Sequence, residues 1–251
     1  MSIKNLLINS LRKLFIDQVY SAPTTSDLAG KVVIVTGSGR GVGHAISEVL
    51  AKSGATVVGL TRTMSPKSKR IEGFSEIICD LSSERSTIAS IGSIIKQYGR
   101  IDLLVNNAGV FASGSLVDST TKQFDEIISN NIKSMYFTCR AVLPIMQSQH
   151  TGTIINLGSK ISHNTKIEGG KVLYAMSKYA IEGFSYALHR ELQGKGVRVI
   201  CLMPATIHTF FSKQAKKYLS PYDIGEIIKM IMVMKGIDFE SILFKSSNQN
   251  I

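Results

Sequence analysis

No apolar run in this chain of 251 residues approaches the ~20 needed to cross a bilayer as a helix, which argues against an integral membrane class. Cysteine is scarce: Cys79, Cys139 and Cys201 are odd in number, far apart and each set in an apolar segment. With no Cys-x-x-Cys pair among them, they read as small core residues in a reducing compartment, not as a disulfide framework. Acid is in short supply too. Asp and Glu number 18 against 29 Lys and Arg, a net charge of +11, so the surface favours phosphates, acidic proteins or anionic lipid. Yet the basic residues are scattered, with no zinc finger, RNA-binding signature or basic heptad helix, and nucleic acid is not an expected partner. Internal repeats and low-complexity linkers are also missing. Hydrophobic residues make up 44% of the chain, enough for one sizeable core and a single α/β domain.

Two segments are expected: an amphipathic extension over 1–29 and a domain over 30–251. In the extension Ile3, Leu7, Leu11 and Leu14 fall near helical spacing beside Lys4, Arg12 and Lys13. Arg12 and Lys13 interrupt the apolar stretch that a secretory signal would require. Three readings stay open: a helix packed on the domain or a neighbouring subunit, a cationic helix on a membrane surface, and an organelle-targeting sequence.

After Gly30, short β-branched runs alternate with helical patterns. Strands are expected at Val32–Thr36, Thr56–Leu60, Ser75–Cys79, Ile101–Asn106, Thr153–Leu157, Val197–Met203 and Ser241–Phe244. Val42, Ala45, Ile46, Val49 and Leu50 form one helical face, and Ile88, Ile91 and Ile95 another. Longer helical patterns cover Thr120–Gln149 and Leu173–Leu192. Such alternation predicts a doubly wound, Rossmann-type parallel sheet of about seven strands with helices on both faces.

The first strand runs into "TGSGRGVG", Thr36 to Gly43. In a doubly wound sheet this turn meets the ligand. Gly37 permits the tight turn, Gly41 lets the backbone approach a pyrophosphate, and Gly43 removes a side chain where helix meets strand. The backbone N–H groups at the helix start, with Ser38, Arg40 and Val42 in the turn, then face negative charge.

Further segments follow in order: "CDL" at 79–81, "NNAG" at 106–109, Asn131, "NLGS" ending at Ser159, "YAMSK" from Tyr174 to Lys178, and "PATIHT" at 204–209. With the glycine turn, they resemble the short-chain dehydrogenase/reductase family, marked by Thr-Gly-x-x-x-Gly-x-Gly, Asn-Asn-Ala-Gly and Tyr-x-x-x-Lys. The resemblance spans roughly Gly30 to Phe244. It implies a hydride-transferring oxidoreductase in which Tyr174 is general acid/base, Lys178 tunes it and bonds the nicotinamide ribose, Ser159 donates to the substrate carbonyl, and Asn131 holds a proton-relaying water. Tyr174 and Lys178 lie one helical turn apart on one face. A phenol near pKa ~10 needs a downward shift of about 3 units, or ~4 kcal/mol, to work near neutrality. The Lys178 ammonium and an oxidised nicotinamide favour that shift. Ser159 precedes Tyr174 by fifteen residues, slightly more than the family's commonest spacing, so Ser162 stands as a competing serine.

The resemblance also places Asp80 and Leu81 at the adenine, Asn106, Ala108 and Gly109 along the adenosine ribose, and Pro204, Ile207 and Thr209 at the nicotinamide carboxamide. The second strand ends without the acid that would bond ribose hydroxyls and repel a 2′-phosphate: Thr61 and then Arg62 stand there. Arg62, with Arg40 opposite, suits a phosphate. NADP is the expected nucleotide, with NAD as the alternative and reduction as the expected direction. The substrate is a small or carrier-bound carbonyl compound. A general ketone reductase is the first reading, because "KSSNQNI" replaces the glycine-rich tail usual in 3-oxoacyl-carrier-protein reductases, which form the alternative. A non-catalytic NADP-binding module is the third. Only ten residues, "FFSKQAKKYL", separate Thr209 from the next helix start, so an open site is expected, with Phe210, Phe211 and Tyr218 as candidate walls. By family, the long helices would make a homodimer or homotetramer. A cytoplasmic protein is expected, peripheral to a membrane if the extension lies on one.

Overall fold

The computed structural model describes residues 27–66, 71–164, 167, 169–207, 218–234 and 238–244. The expectations about the extension up to residue 26, and about Thr209, Phe210 and Phe211, lie outside them. In chain order the elements are β1 (Val32–Thr36), α1 (Gly41–Lys52), β2 (Thr56–Thr61), β3 (Phe74–Ile78), α2 (Glu84–Tyr98), β4 (Leu103–Asn106) and α3 (Thr121–Ile127). A π-helical turn (Ile128–Lys133) leads into α4 (Ser134–Ser148), followed by β5 (Gly152–Leu157), a 3₁₀ turn (Lys160–His163), α5 (Val172–Glu191), β6 (Val197–Pro204), α6 (Pro221–Val233) and β7 (Ser241–Phe244).

The strands form one parallel sheet in the order β3-β2-β1-β4-β5-β6-β7. Buried on both faces, β1, β4, β5 and β6 are predominantly apolar, as central parallel strands are. Side chains alternate across the sheet. Val33 and Val35 pack with Ile46 and Leu50 of α1 and Ile224 and Ile228 of α6. Val32 and Ile34 face the other way, toward Ile91 of α2, Val142 of α4 and Ile181 of α5. The three cysteines are free and buried. The chain reverses its winding between β1 and β4, which opens the crevice expected at such a switch point beyond the carboxyl ends of the strands.

Two differences from the sequence reading have local causes. Ile88 is 54% exposed, and Ile91 and Ile94 make the inner face of α2 instead. That helix is fixed by its ends: Ser83 caps it by accepting from Ser86 N, and Gly99 closes it in the left-handed region. The single helix expected over Thr120–Gln149 is three pieces, because the π turn inserts between α3 and α4.

Candidate functional site

The glycine turn lies at the crevice. A Cβ on Gly43 would come 2.3 Å from Gly37 O and 2.5 Å from Asn107 Nδ2, so only glycine permits this closeness of helix and strand end. At Gly41 (φ +60°) a Cβ would meet no protein atom within 4 Å. Arg40 precedes α1 without a side-chain cap bond, and the first turn of α1 holds no acid. Its N–H groups therefore face the crevice with the positive end of the helix dipole. Asn107 Nδ2 donates to Thr36 O (2.9 Å) and Gly37 O (3.3 Å), while Asn107 N and Ala108 N donate to Thr36 Oγ1 (3.0 and 2.9 Å). These bonds tie the ends of β1 and β4 together. In the sequence Asn107 stood only as a letter of "NNAG", with no role of its own.

Some expected contact residues turn their side chains elsewhere. Ser38 is fully buried and donates to Glu76 Oε1 on β3 (2.7 Å), which leaves its backbone at the turn. Asn106 points into the protein: its Nδ2 donates to Asn156 Oδ1 (2.8 Å) and its Oδ1 accepts from Thr138 Oγ1 (2.6 Å). The period of two along β4 sends Asn106 inward and leaves its main chain at the crevice. Asp80 is exposed, but its carboxylate accepts from Ser82 Oγ (2.7 Å) and Ser82 N (3.0 Å). Those bonds hold it below the usual carboxylate range, with a smaller contribution from the nearby Arg62 charge. Leu81 is buried in the core. Val42 is half-buried, and Arg40, Arg62 and Gly109 are exposed. Pro204 ends β6, and Ile207 pairs with Leu219 just beyond it.

Ser159, Tyr174 and Lys178 come together beyond the end of β5. The Ser159 hydroxyl faces the Tyr174 phenol, close enough to favour its phenolate form. Lys178 Nζ donates to Leu157 O (2.8 Å) and sits 5.6 Å from the centre of the Tyr174 ring. Ser162 is turned away: it donates to Ser159 O (3.0 Å) and lines a separate cavity of about 360 Å³ with Tyr179 and Cys201. Phe111, which the sequence reading missed, places its ring edge-on to Tyr174 with centroids 5.0 Å apart. Only its position two residues past "NNAG" could have flagged it.

Without a nucleotide, burial governs the electrostatics of this cluster. Burial pushes the Tyr174 phenol above its usual value, and the Ser159 hydroxyl beside it only opposes this. The polypeptide does not by itself supply the downward shift, because desolvation disfavours both charged forms. It also pushes Lys178 down to about 8.

Asn131 lies in the π turn, 1% exposed. Its Nδ2 donates to Val110 O (3.0 Å) and Ser177 Oγ (2.9 Å), and its Oδ1 accepts from Val110 N (2.7 Å). Both amide hydrogens are therefore used within the protein, and the side chain clamps the segment after β4 to α5 instead of presenting its amide N–H groups to a water. Single-turn π segments occur frequently at functional sites.

Comparison with known proteins agrees with this geometry. The short chain dehydrogenase model matches residues 31–219. A 3-oxoacyl-acyl-carrier-protein reductase of Vibrio harveyi is 33% identical over 191 residues, covering 74% of this chain and 78% of that protein. An uncharacterised oxidoreductase of Staphylococcus saprophyticus is 33% identical over 212 residues, 80% of this chain and 90% of its own. Among solved structures, a metagenomic short-chain oxidoreductase in complex with NADP superposes with a TM-score of 0.77 at 29% identity, over 87% of this chain and 98% of that one. An aldohexose dehydrogenase of Thermoplasma acidophilum, in ligand-free form, gives 0.78 at 25% identity, over 88% and 94%. With the glycine turn, the switch-point crevice and the Ser159, Tyr174 and Lys178 cluster in one parallel fold, the chain belongs to the short-chain dehydrogenase family.

Proposed function

We propose that this protein is an NADP(H)-dependent oxidoreductase that interconverts a ketone or aldehyde with an alcohol, using Tyr174 as general acid/base. The observation that carries the reading is the convergence of Ser159, Tyr174 and Lys178, with Lys178 Nζ 5.6 Å from the centre of the Tyr174 ring. The crevice fits a dinucleotide: Gly41 leaves open space at an uncapped helix start, and no acid ends β2 to repel a 2′-phosphate. The metagenomic relative whose structure contains NADP supports the same choice. NAD is the alternative.

In this reading the main chain from Gly37 through Ser38, Arg40 and Gly41 to Val42 holds the pyrophosphate, and Arg40 and Arg62 hold the 2′-phosphate. Asp80 and Leu81 border the adenine. The main chain at Asn106, Ala108 and Gly109 follows the ribose, while Tyr174 and Lys178 reach the second ribose and Pro204, Ile207 and Thr209 the carboxamide. NADPH, when bound, supplies the hydride. Tyr174 O–H donates its proton to the substrate oxygen, on which Ser159 places a second hydrogen bond where negative charge develops. Lys178, in its charged form, favours the phenolate left behind. Asn131 keeps the Val110 segment fixed beside α5.

The curated relatives' names favour a second reading, a 3-oxoacyl-carrier-protein reductase. A 3-oxoacyl thioester turned over far faster than simple ketones would select it. Exposed Phe124, Tyr136, Tyr179 and Tyr186 on α3, α4 and α5 support a homodimer or homotetramer through these helices. No helix among the described residues is long and apolar enough to cross a membrane. We place the enzyme in the cytoplasm, with surface attachment through the extension as the variant to test by liposome binding with and without Met1–Pro23.

Fluorescence titration with NADPH and NADH at fixed salt tests the reading directly. Wild type should prefer NADPH, and Arg62→Ala should weaken NADPH by about tenfold while sparing NADH. Tyr174→Phe should bind NADPH normally and turn over carbonyl substrates at least ~100-fold more slowly. Absence of binding by either nucleotide would replace the enzyme with a non-catalytic module.

A further inference from the structure

Glu76 is a buried acid in β3, 9% exposed, and nothing in the proposed chemistry uses it. Its two carboxylate oxygens are divided between two different turns. Oε1 accepts from Ser38 Oγ (2.7 Å) in the glycine turn, and Oε2 accepts from the Ser65 backbone N–H (2.6 Å) in the segment that leaves β2. Ser38 stands two residues before Arg40, and Ser65 three residues after Arg62. One buried carboxylate thus anchors both arginine-bearing turns.

The surrounding packing leaves this bridge no slack. Gly59, the register partner of Glu76 across β2 and β3, is where Ser38 lies: a Cβ there would come 2.1 Å from Ser38 Oγ. Gly39 presses on the other turn, since its Cβ would fall 2.4 Å from Thr63 O and 2.7 Å from Thr61 Oγ1. Thr61 Oγ1 donates to Thr63 O (3.0 Å) and accepts from Thr63 N (3.3 Å), which closes a tight turn around Arg62. Arg62 is therefore held between Thr61 on one side and the Glu76-bound Ser65 on the other.

We propose that Glu76 is a positioning residue for nucleotide choice: by joining the Ser38 and Ser65 turns, it sets the separation of the Arg40 and Arg62 guanidinium groups that would receive a 2′-phosphate. The proposal rests on the NADP reading above and goes one step beneath it. Glu76 touches no cofactor. It acts through Arg40 and Arg62, so its loss should weaken the nucleotide carrying the 2′-phosphate and spare the one without it.

The test is titration of the full chain with NADPH and with NADH, in wild type, Glu76→Ala, Glu76→Gln and Ser38→Ala. Glu76→Ala should weaken NADPH about tenfold and change NADH less than about threefold, collapsing the ratio. Glu76→Gln should restore the ratio to within about threefold of wild type, because its amide oxygen accepts from Ser65 N while its NH₂ donates to a rotated Ser38 hydroxyl. Ser38→Ala cuts one arm only. It should shift the ratio in the same direction by less, and it keeps the test open if Glu76→Ala fails to fold. A ratio unchanged in Glu76→Ala, or in Ser38→Ala where that variant stands in for it, overturns the proposal. So does equal weakening of both nucleotides. A wild type that shows no preference for NADPH overturns the cofactor reading itself, which separates the two failures.

Discussion

A charged side chain drawn into the fold is tolerated where partners replace its lost water, and Asp102 and Lys178 illustrate the two outcomes. Asp102, beside the start of β1 and far from the crevice, accepts from Val32 N (3.0 Å), Lys31 Nζ (3.0 Å) and both Nε and Nη2 of Arg100 (2.8 and 2.6 Å). Burial alone would raise its pKa, but these partners hold it below the usual carboxylate range. A depressed carboxylate contributes stability above its unfolded pKa of about 4, and that contribution is lost as pH falls through the folded value. Asp102→Ala should cost about 3 kcal/mol in urea denaturation at pH 7, with nucleotide affinity unchanged. Lys178 goes the other way, pushed down to about 8 from 10.5. Between those pH values the unfolded chain binds the proton and the folded one does not. Stability should therefore rise with pH across that window in the ligand-free protein, and Lys178→Met should abolish the rise while also abolishing turnover.

At the scale of elements, the π turn between α3 and α4 decides what the chain after β4 can do. Inserting it rotates Asn131 inward, so that one side chain satisfies both backbone groups of Val110. Asn131→Ala leaves that N–H and C=O without these partners. It should cost about 2 kcal/mol in denaturant unfolding with little change in helix content. Asn131→Asp keeps the acceptor for Val110 N but cannot donate to Val110 O, and should fall below wild type as well. None of this was legible as a π turn. The apolar pattern of Thr120–Gln149 is continuous, and an extra residue per turn declares itself only through the partner that it meets. By contrast α2 and α6 carry their ends in plain letters, Ser83 with Gly99 and Ser220 with Pro221.

For the whole molecule, the crevice joins segments from distant parts of the chain, from Gly37 just after β1 to Ile207 after β6. A ligand seated across it binds only the folded state. NADPH at about a hundred times its dissociation constant should add about 2.7 kcal/mol of stability, visible as a rise of roughly 5–10 °C in Tm. NADH at the same concentration should give less. A Tm indifferent to both would show that the crevice does not hold a dinucleotide.

Periodicity and punctuation settle at the level of the chain which segments are strands, which are helices, and that they wind into a parallel sheet, because those signals repeat locally every two or every three to four residues. Segment order likewise announces the glycine turn, Ser159, Tyr174 and Lys178 as candidates for one site. What only the tertiary structure decides is where each polar side chain turns. Ser38 goes to Glu76, Asn106 to Asn156, Asn131 to Val110, and Ser162 toward its own cavity. The physical reason is that a hydrogen bond is made with whichever group strand order and helix packing bring within about 3 Å, and that neighbour is written tens of residues away.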